Sequence, residues 1–195
     1  VAIARLQTTI QTKQVPVYVY DAFNGEGRSA ELELQAFDIP VKVEDGFTKV
    51  LLPNIPRQSY LFSTNDAGYL NAQYLYNDNA DSIRIPLVKP EWLNAWLNEN
   101  KIEYNGSTAT IIGFVPDEDF EVFLTGDHGS DSNEALIYFD ANGKSTSEGK
   151  VGGGFAIFNL QSDVHELIVR GKSTKKQFIK IVPADGGSTS VISFH

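Results

Sequence analysis

Asp45-Gly46-Phe47-Thr48-Lys49-Val50-Leu51-Leu52-Pro53 returns later in the chain in degenerate form, as Gly153-Gly154-Phe155-Ala156-Ile157-Phe158-Asn159-Leu160. The same distance beyond each phenylalanine, a serine opens a strand-like run: Ser82-Ile83-Arg84-Ile85-Pro86-Leu87, then Ser190-Val191-Ile192-Ser193-Phe194. A repeat of this length is a domain rather than one turn of a solenoid. The chain therefore reads as two copies of one small β-sandwich in series, each with its own sheets. A single sheet running through both halves would contradict that reading.

Working outward, segments rich in Val, Ile, Tyr and Phe alternate with short Gly/Asn/Asp clusters, the pattern of an antiparallel all-β protein. The first half predicts strands at Thr8–Gln11, Val15–Tyr20, Ala30–Phe37, Phe47–Leu52, Tyr60–Ser63, Ala72–Tyr76 and Ser82–Leu87. In Ala30–Phe37, Leu32, Leu34 and Ala36 alternate with Glu31, Glu33 and Gln35, so one face is dry and the other wet. The second half predicts Thr110–Val115, Glu121–Thr125, Ala135–Asp140, Gly154–Leu160, Val164–Arg170, Phe178–Val182 and Thr189–Phe194. Asn24-Gly25 and Asn142-Gly143 mark turns, because both residue types accept positive φ. Short strands at this spacing predict a Greek-key sandwich in each half.

The boundaries follow: one sandwich over residues 1–88, a linking helix over 89–104, and a second sandwich over 105–195. Pro90 suits the first helical turn, where its missing N–H costs nothing, and Glu91 suits the positive end of the helix dipole. Trp92, Leu93, Trp96 and Leu97 form one apolar stripe. Such a helix docks on one sandwich or wedges between them.

Composition narrows the function. Of 195 residues, 42% are hydrophobic, enough for real cores. The net charge of −9 and a sequence pI near 4.8 disfavour nucleic acid and anionic membrane surfaces as partners. The absence of cysteine removes disulfides, thiolate metal sites and Cys nucleophiles. No apolar run reaches the roughly 18 residues of a membrane span. A chain that starts Val1-Ala2-Ile3-Ala4 and contains no methionine reads as a processed product or an excised piece.

Several phrases carry a family resemblance. Val15-Pro16-Val17-Tyr18-Val19-Tyr20-Asp21-Ala22, Asp45-Gly46-Phe47, Leu52-Pro53, Tyr60-Leu61-Phe62-Ser63 and Ala67-Gly68-Tyr69 together resemble the carboxypeptidase regulatory-like domains. In the second half Gly154-Phe155-Ala156-Ile157-Phe158-Asn159-Leu160 matches the central phrase, with Gln161 in place of proline and no Gly-Tyr beyond it. The resemblance implies a transthyretin-like (prealbumin-like) sandwich and a noncatalytic appendage of a secreted, periplasmic or cell-surface protein. Such units bind protein or carbohydrate or act as spacers, and the family pattern supplies no catalytic residues. Within such a fold Gly46 and Gly154 would permit tight reversal or close strand approach. Phe47 and Phe155 would anchor the core, while Tyr60 and Tyr69 would bury rings with bonded hydroxyls at a corner.

Candidate chemistry is thin. His128, His165 and His195 show no zinc spacing, and no Gly-x-Ser-x-Gly elbow is present. In Gly126–Glu134, the oxygens of Asp127, Asp131, Asn133 and Glu134 can wrap a calcium ion, a hard cation that takes such donors. Asn77, Asp78, Asn79 and Asp81 form a thinner set. The same residue types also suit plain solvated turns. Tyr69, Tyr74 and Tyr76, flanked by Asn71, Gln73 and Asn77, offer a stacking platform for a sugar. Tyr74 and Tyr76 share one strand face, however, and that face can equally be core. Lys172-Ser173-Thr174-Lys175-Lys176 reads as a hairpin tip, with a contact to an anion as the sharper alternative. The leading functional reading is a noncatalytic, protein-binding or spacer module. The alternative is a carbohydrate-binding module, with calcium assistance.

Overall fold

Alternating burial organises the chain from its first described strand, where Val15, Val17 and Val19 point inward and Gln14, Pro16 and Tyr18 outward. The computed structural model describes residues 12–34, 39–53, 59–66, 68–77, 81–125 and 133–194. The predicted Thr8–Gln11 strand lies outside them. The protein is predominantly β. In order come β1 (Thr12–Asp21), β2 (Ala30–Leu34), β3 (Ile39–Val43), β4 (Phe47–Pro53), β5 (Ser59–Asn65), β6 (Gln73–Asn77), β7 (Ile83–Leu87) and α1 (Pro90–Glu99). After the helix follow β8 (Ala109–Phe114), β9 (Phe120–Thr125), β10 (Ala135–Phe139), β11 (Ser145–Thr146), β12 (Gly154–Leu160), β13 (Asp163–Gly171), β14 (Gln177–Ala184) and β15 (Thr189–Ser193).

The pairing scheme occurs twice. β1 pairs antiparallel with β4 and parallel with β7, and β8 pairs antiparallel with β12 and parallel with β15. β5 lies between β2 and β6, antiparallel to both, as β13 lies between β9 and β14. The halves differ at two strands: β3 pairs with β2, whereas β10 pairs with β12, and the short β11 beside β10 has no counterpart among the described residues of the first half.

The sheets nevertheless do not stop at the boundary. β6 pairs in parallel with β15, Gln73 opposite Ser190 and Tyr74 opposite Val191. The result is one nine-stranded sheet in the order β11-β10-β12-β8-β15-β6-β5-β2-β3. Smaller sheets, β4-β1-β7 and β14-β13-β9, complete the structure. Separate sheets in each half are therefore corrected to one shared sheet. The physical reason is that β6 and β15 each carry an open row of main-chain donors and acceptors, which pair when brought together.

Packing follows this shared sheet. Phe155, Ile157 and Leu160 of β12 face a core made only from the second half. Ala156 and Phe158, on its other side, join Ile112, Val191 and the interior of the first half. All seven residues of β12 are buried, the pattern of a strand covered on both faces.

The helix forms as predicted and wedges between the halves. Trp96 is fully buried, lies parallel to the Phe139 ring at 4.5 Å, and donates Nε1–H to the Gly143 carbonyl at 2.7 Å. Phe23 of the first half reaches Trp92 at 4.6 Å and Phe139 at 5.7 Å. Asn100 Nδ2 closes the helix end by donating to the Trp96 carbonyl at 2.8 Å.

One core residue is misplaced by the sequence reading. Phe155 is buried, but Phe47 is 44% exposed and stacks at a tilt on Tyr18, 5.2 Å away. The two phenylalanines are an even number of residues apart, whereas the inward residues of their strands, such as Val50 and Ile157, are an odd number apart. A shift of one residue moves a side chain to the opposite face. The glycine of the phrase behaves as expected in both copies. A Cβ on Gly46 (φ +80°) would sit 2.5 Å from the Gly27 Cα, and one on Gly154 would sit 2.1 Å from the Gly113 carbonyl oxygen.

Candidate interaction surfaces

The turn after β1 is built on a buried carboxylate. Asp21 accepts hydrogen bonds from Phe23 N–H at 3.0 Å, Asn24 N–H at 3.1 Å and the Tyr69 hydroxyl at 2.8 Å, with Lys89 Nζ at 3.7 Å. Burial pushes its carboxyl up, but the bonds from Phe23, Tyr69 and Asn24, together with Lys89, outweigh that and hold it below the usual range. Burial, then the bond to Asp21, pushes the Tyr69 hydroxyl up to about 12. This turn aims Phe23 at the helix, so it serves the joint between the halves.

A folded pKa below the unfolded one stabilises the native state above the unfolded value, and that contribution is lost as pH falls through the folded value. Acid titration by circular dichroism should therefore show stability falling below roughly pH 4. Asp21→Ala should cost about 2 kcal/mol at neutral pH, because it strands the buried Tyr69 hydroxyl and two part-buried main-chain donors. It should also flatten the acid limb; an unchanged acid limb would assign the pH dependence elsewhere.

The tyrosine platform is corrected. Tyr69 and Tyr74 are buried, and the Tyr74 hydroxyl donates to the Pro86 carbonyl at 2.7 Å. Tyr74 packs in the core because its face of β6 points inward, and Tyr69, in the turn before β6, is drawn in with its hydroxyl on Asp21, so neither is open to a sugar. The side chains of Tyr60 and Tyr76 lie outside the described residues.

Of the calcium candidates, Asp127 and Asp131 lie outside the described residues, as do His128 and His195. Asn133 is exposed, and its carbonyl accepts Asn159 Nδ2–H at 3.0 Å. Among the described residues, Glu134 included, no three His, Asp or Glu side chains converge on a metal position. In the thinner set Asp78 and Asn79 also lie outside the described residues. His165 is buried, with Nε2 2.8 Å from the Gln161 carbonyl oxygen.

The basic run does form a hairpin tip, between β13 and β14, and it folds onto acids. Glu118 accepts from Ser173 N–H at 2.9 Å, Thr174 N–H at 3.0 Å and the Thr174 hydroxyl. Glu148 binds both Lys150, at 2.5 Å, and Lys172. Hydrogen bonds from Lys150 and Lys172 pull the Glu148 carboxyl down to about 2. Asp119 adds a 3.3 Å contact to Lys150, and Arg170 pairs with Glu121 at 2.5 Å. Lys172 is thus engaged internally rather than presented to an anion. Beside this network a 410 Å³ cleft opens between Glu118, Thr174, Phe178 and Phe194, and a 520 Å³ cleft lies over Glu31, Glu33, Pro40 and Asn71. Neither is lined by the calcium or tyrosine candidates, whereas the first takes in Ser173, Thr174 and Lys176 of the basic run.

Two features escaped sequence reasoning. Asn159 breaks the apolar run of β12 at φ +60°, next to an irregularity in register. Its side chain accepts from Asn105 N–H at 3.0 Å and donates to the Glu103 and Asn133 carbonyls. The signal was an amide inside an otherwise apolar strand, and Asn tolerates left-handed backbone. The second feature is exposed apolar surface. On β4-β1-β7, Tyr18, Phe47 and Leu51 face out, Leu51 at 60% exposure. On β14-β13-β9, Phe123, Ile168 and Ile179 stand in one cross-strand row, with Ile181 beside them. Both parities of Phe178-Ile179-Lys180-Ile181-Val182 carry apolar residues, a legible sign that both faces of the strand do so. Among the described residues no helix is long and apolar enough to cross a membrane. The chain matches no protein-family model and no curated relative.

Proposed function

We propose that the chain is a rigid, noncatalytic interaction or spacer module of a secreted or cell-envelope protein, built from two tandem transthyretin-like Greek-key repeats that share one sheet rather than each closing its own. The repeated pairing scheme, β1-β4-β7 with β2-β5-β6 and then β8-β12-β15 with β9-β13-β14, supports the tandem. The observation that carries the function is the joint. Trp96, Phe23 and Phe139 pack as a single cluster, and β6 extends the second half's sheet through β15. Relative motion of two units is the default when only a linker joins them. Here motion would have to expose Trp96 and break main-chain pairing. A module of this kind holds whatever it carries at a set distance and angle.

Small-angle X-ray scattering on the isolated chain should fit one arrangement of the two halves over a range of salt. Profiles that need an ensemble of inter-half angles would remove the spacer reading. Turnover of any ester, peptide or glycoside from a broad substrate panel would remove the noncatalytic one.

A further inference from the structure

The joint between the halves has two sides, and each recurs in the other half with no strand paired to it among the described residues. The donating side is the outer edge of β6, the third member of the β2-β5-β6 ladder. Its counterpart in the second half is β14, which pairs with β13 on one side only. The receiving side is β15 together with the outer face of β12 and β8, where Ile112, Ala156 and Phe158 pack against the first half. Its counterpart in the first half is β7 with the outer face of β4 and β1, where Phe47 and Leu51 are exposed. That face carries apolar side chains where a strand flanked by solvent would carry polar ones.

Among the described residues no strand pairs with the outer edge of β14, where the Pro183 carbonyl accepts the Ser190 hydroxyl at 3.0 Å. Gly171 N–H bonds the Lys176 carbonyl, and Pro183, which has no N–H, stands opposite Val164. The hydrogen-bonded pairs of an antiparallel ladder alternate, so Ile179 and Ile181 direct their main-chain groups away from β13. Their side chains are each 58% exposed on the outer face. An apolar strand with unpaired main-chain groups is a template for another strand.

We infer that the protein associates head to tail with a second copy of itself, β14 of one copy pairing in parallel with β7 of the next. The contact repeats between molecules what β6 and β15 make within one. Because the two surfaces are different, the interface is heterologous and the assembly grows into open chains. The inference rests on the tandem reading above and deepens it by naming the partner.

Sedimentation velocity of the full chain at physiological ionic strength, over a concentration series, tests it. The wild type should rise with concentration above the 21.5 kDa chain mass without a plateau at the dimer. The double variant Ile179→Lys/Ile181→Lys removes the donating edge, and Phe47→Glu removes the receiving face. Leu51→Lys is a second receiving-face variant at a still more exposed position. Each should stay at 21.5 kDa with its melting temperature unchanged. Mixing a donor variant with a receiver variant should give a one-to-one complex and nothing larger, since each retains one good surface. A wild type that stays monomeric throughout, variants that associate as the wild type does, or a mixture that stays monomeric would each overturn the inference. A monomer whose scattering still fits one rigid arrangement leaves the spacer reading standing, so the two failures are distinguishable.

Discussion

Trp96→Ala should cost about 3–5 kcal/mol, the range for removing a large buried aromatic side chain. It should also uncouple the halves. Trp96 is fully buried, stacks on Phe139 of the second half, and lies 6.0 Å from Phe23 of the first. Removing the indole leaves a cavity where three elements meet and orphans the Gly143 carbonyl. Scattering of the variant, at a temperature where it remains folded, should then require more than one inter-half angle. Trp96→Phe separates the two contributions: it keeps most of the packing and loses the hydrogen bond, so it should cost less. If Trp96→Ala melts within a degree of the wild type, the helix is not the wedge described above.

Gly154→Ala carries the second large effect, about 3 kcal/mol, at the upper end for overfilling a packed interior. The added Cβ would lie 2.1 Å from the Gly113 carbonyl oxygen and 2.5 Å from the Phe139 ring. The first contact is main chain in the partner strand, so no rotamer change relieves it. β12 must move away from β8, at the centre of the shared sheet. Chemical denaturation should show the lower midpoint. By contrast Gly68→Ala, with nothing near its Cβ, is opposed only by its φ of +102° and should cost less. Equal costs at the two sites would show that crowding at Gly154 is absorbed by the strand.

Much of this architecture is legible in the amino acids, and the misses have physical causes. Alternation located most of the strands, and proline with paired tryptophans located the helix. β3 was missed, and Pro40 within it is a residue that strand interiors exclude. As the outermost strand of the nine-stranded sheet it tolerates proline, since a missing N–H there disrupts nothing beyond it. β11, two residues long, carries no periodicity to find. Fusion of the sheets depends on main-chain groups at β6 and β15, which no side chain advertises. Gly154–Leu160 gave an indirect sign, being apolar at both parities, as a strand buried on both faces must be. Phe47 shows the opposite hazard: a matched motif with even spacing put it on the wrong face.

Less of the surface was legible. Tyr74 stands between Gln73 and Leu75, neighbours that do not say which face is dry, and only the position of β6 against the interior decides. Asp21 was missed although Asp21-Ala22-Phe23-Asn24-Gly25 has the makings of an Asx turn. The exposed isoleucines of β14 were present in the sequence as a strand apolar on both sides, a pattern that reads as burial until the fold shows which side stays open.

Threading β15 between β8 and β6 has a consequence for how the chain acquires its shape. β15, which follows every other described strand in the chain, closes both halves, because Val191 belongs to the interior of the first. Until it arrives, β6 keeps an unclaimed edge and the N-terminal half cannot finish. Contacts that join such distant segments slow folding, since a large loop must close before they form. Both repeats thus wait on the same strand, and they rise and fall as one cooperative unit rather than as beads on a string.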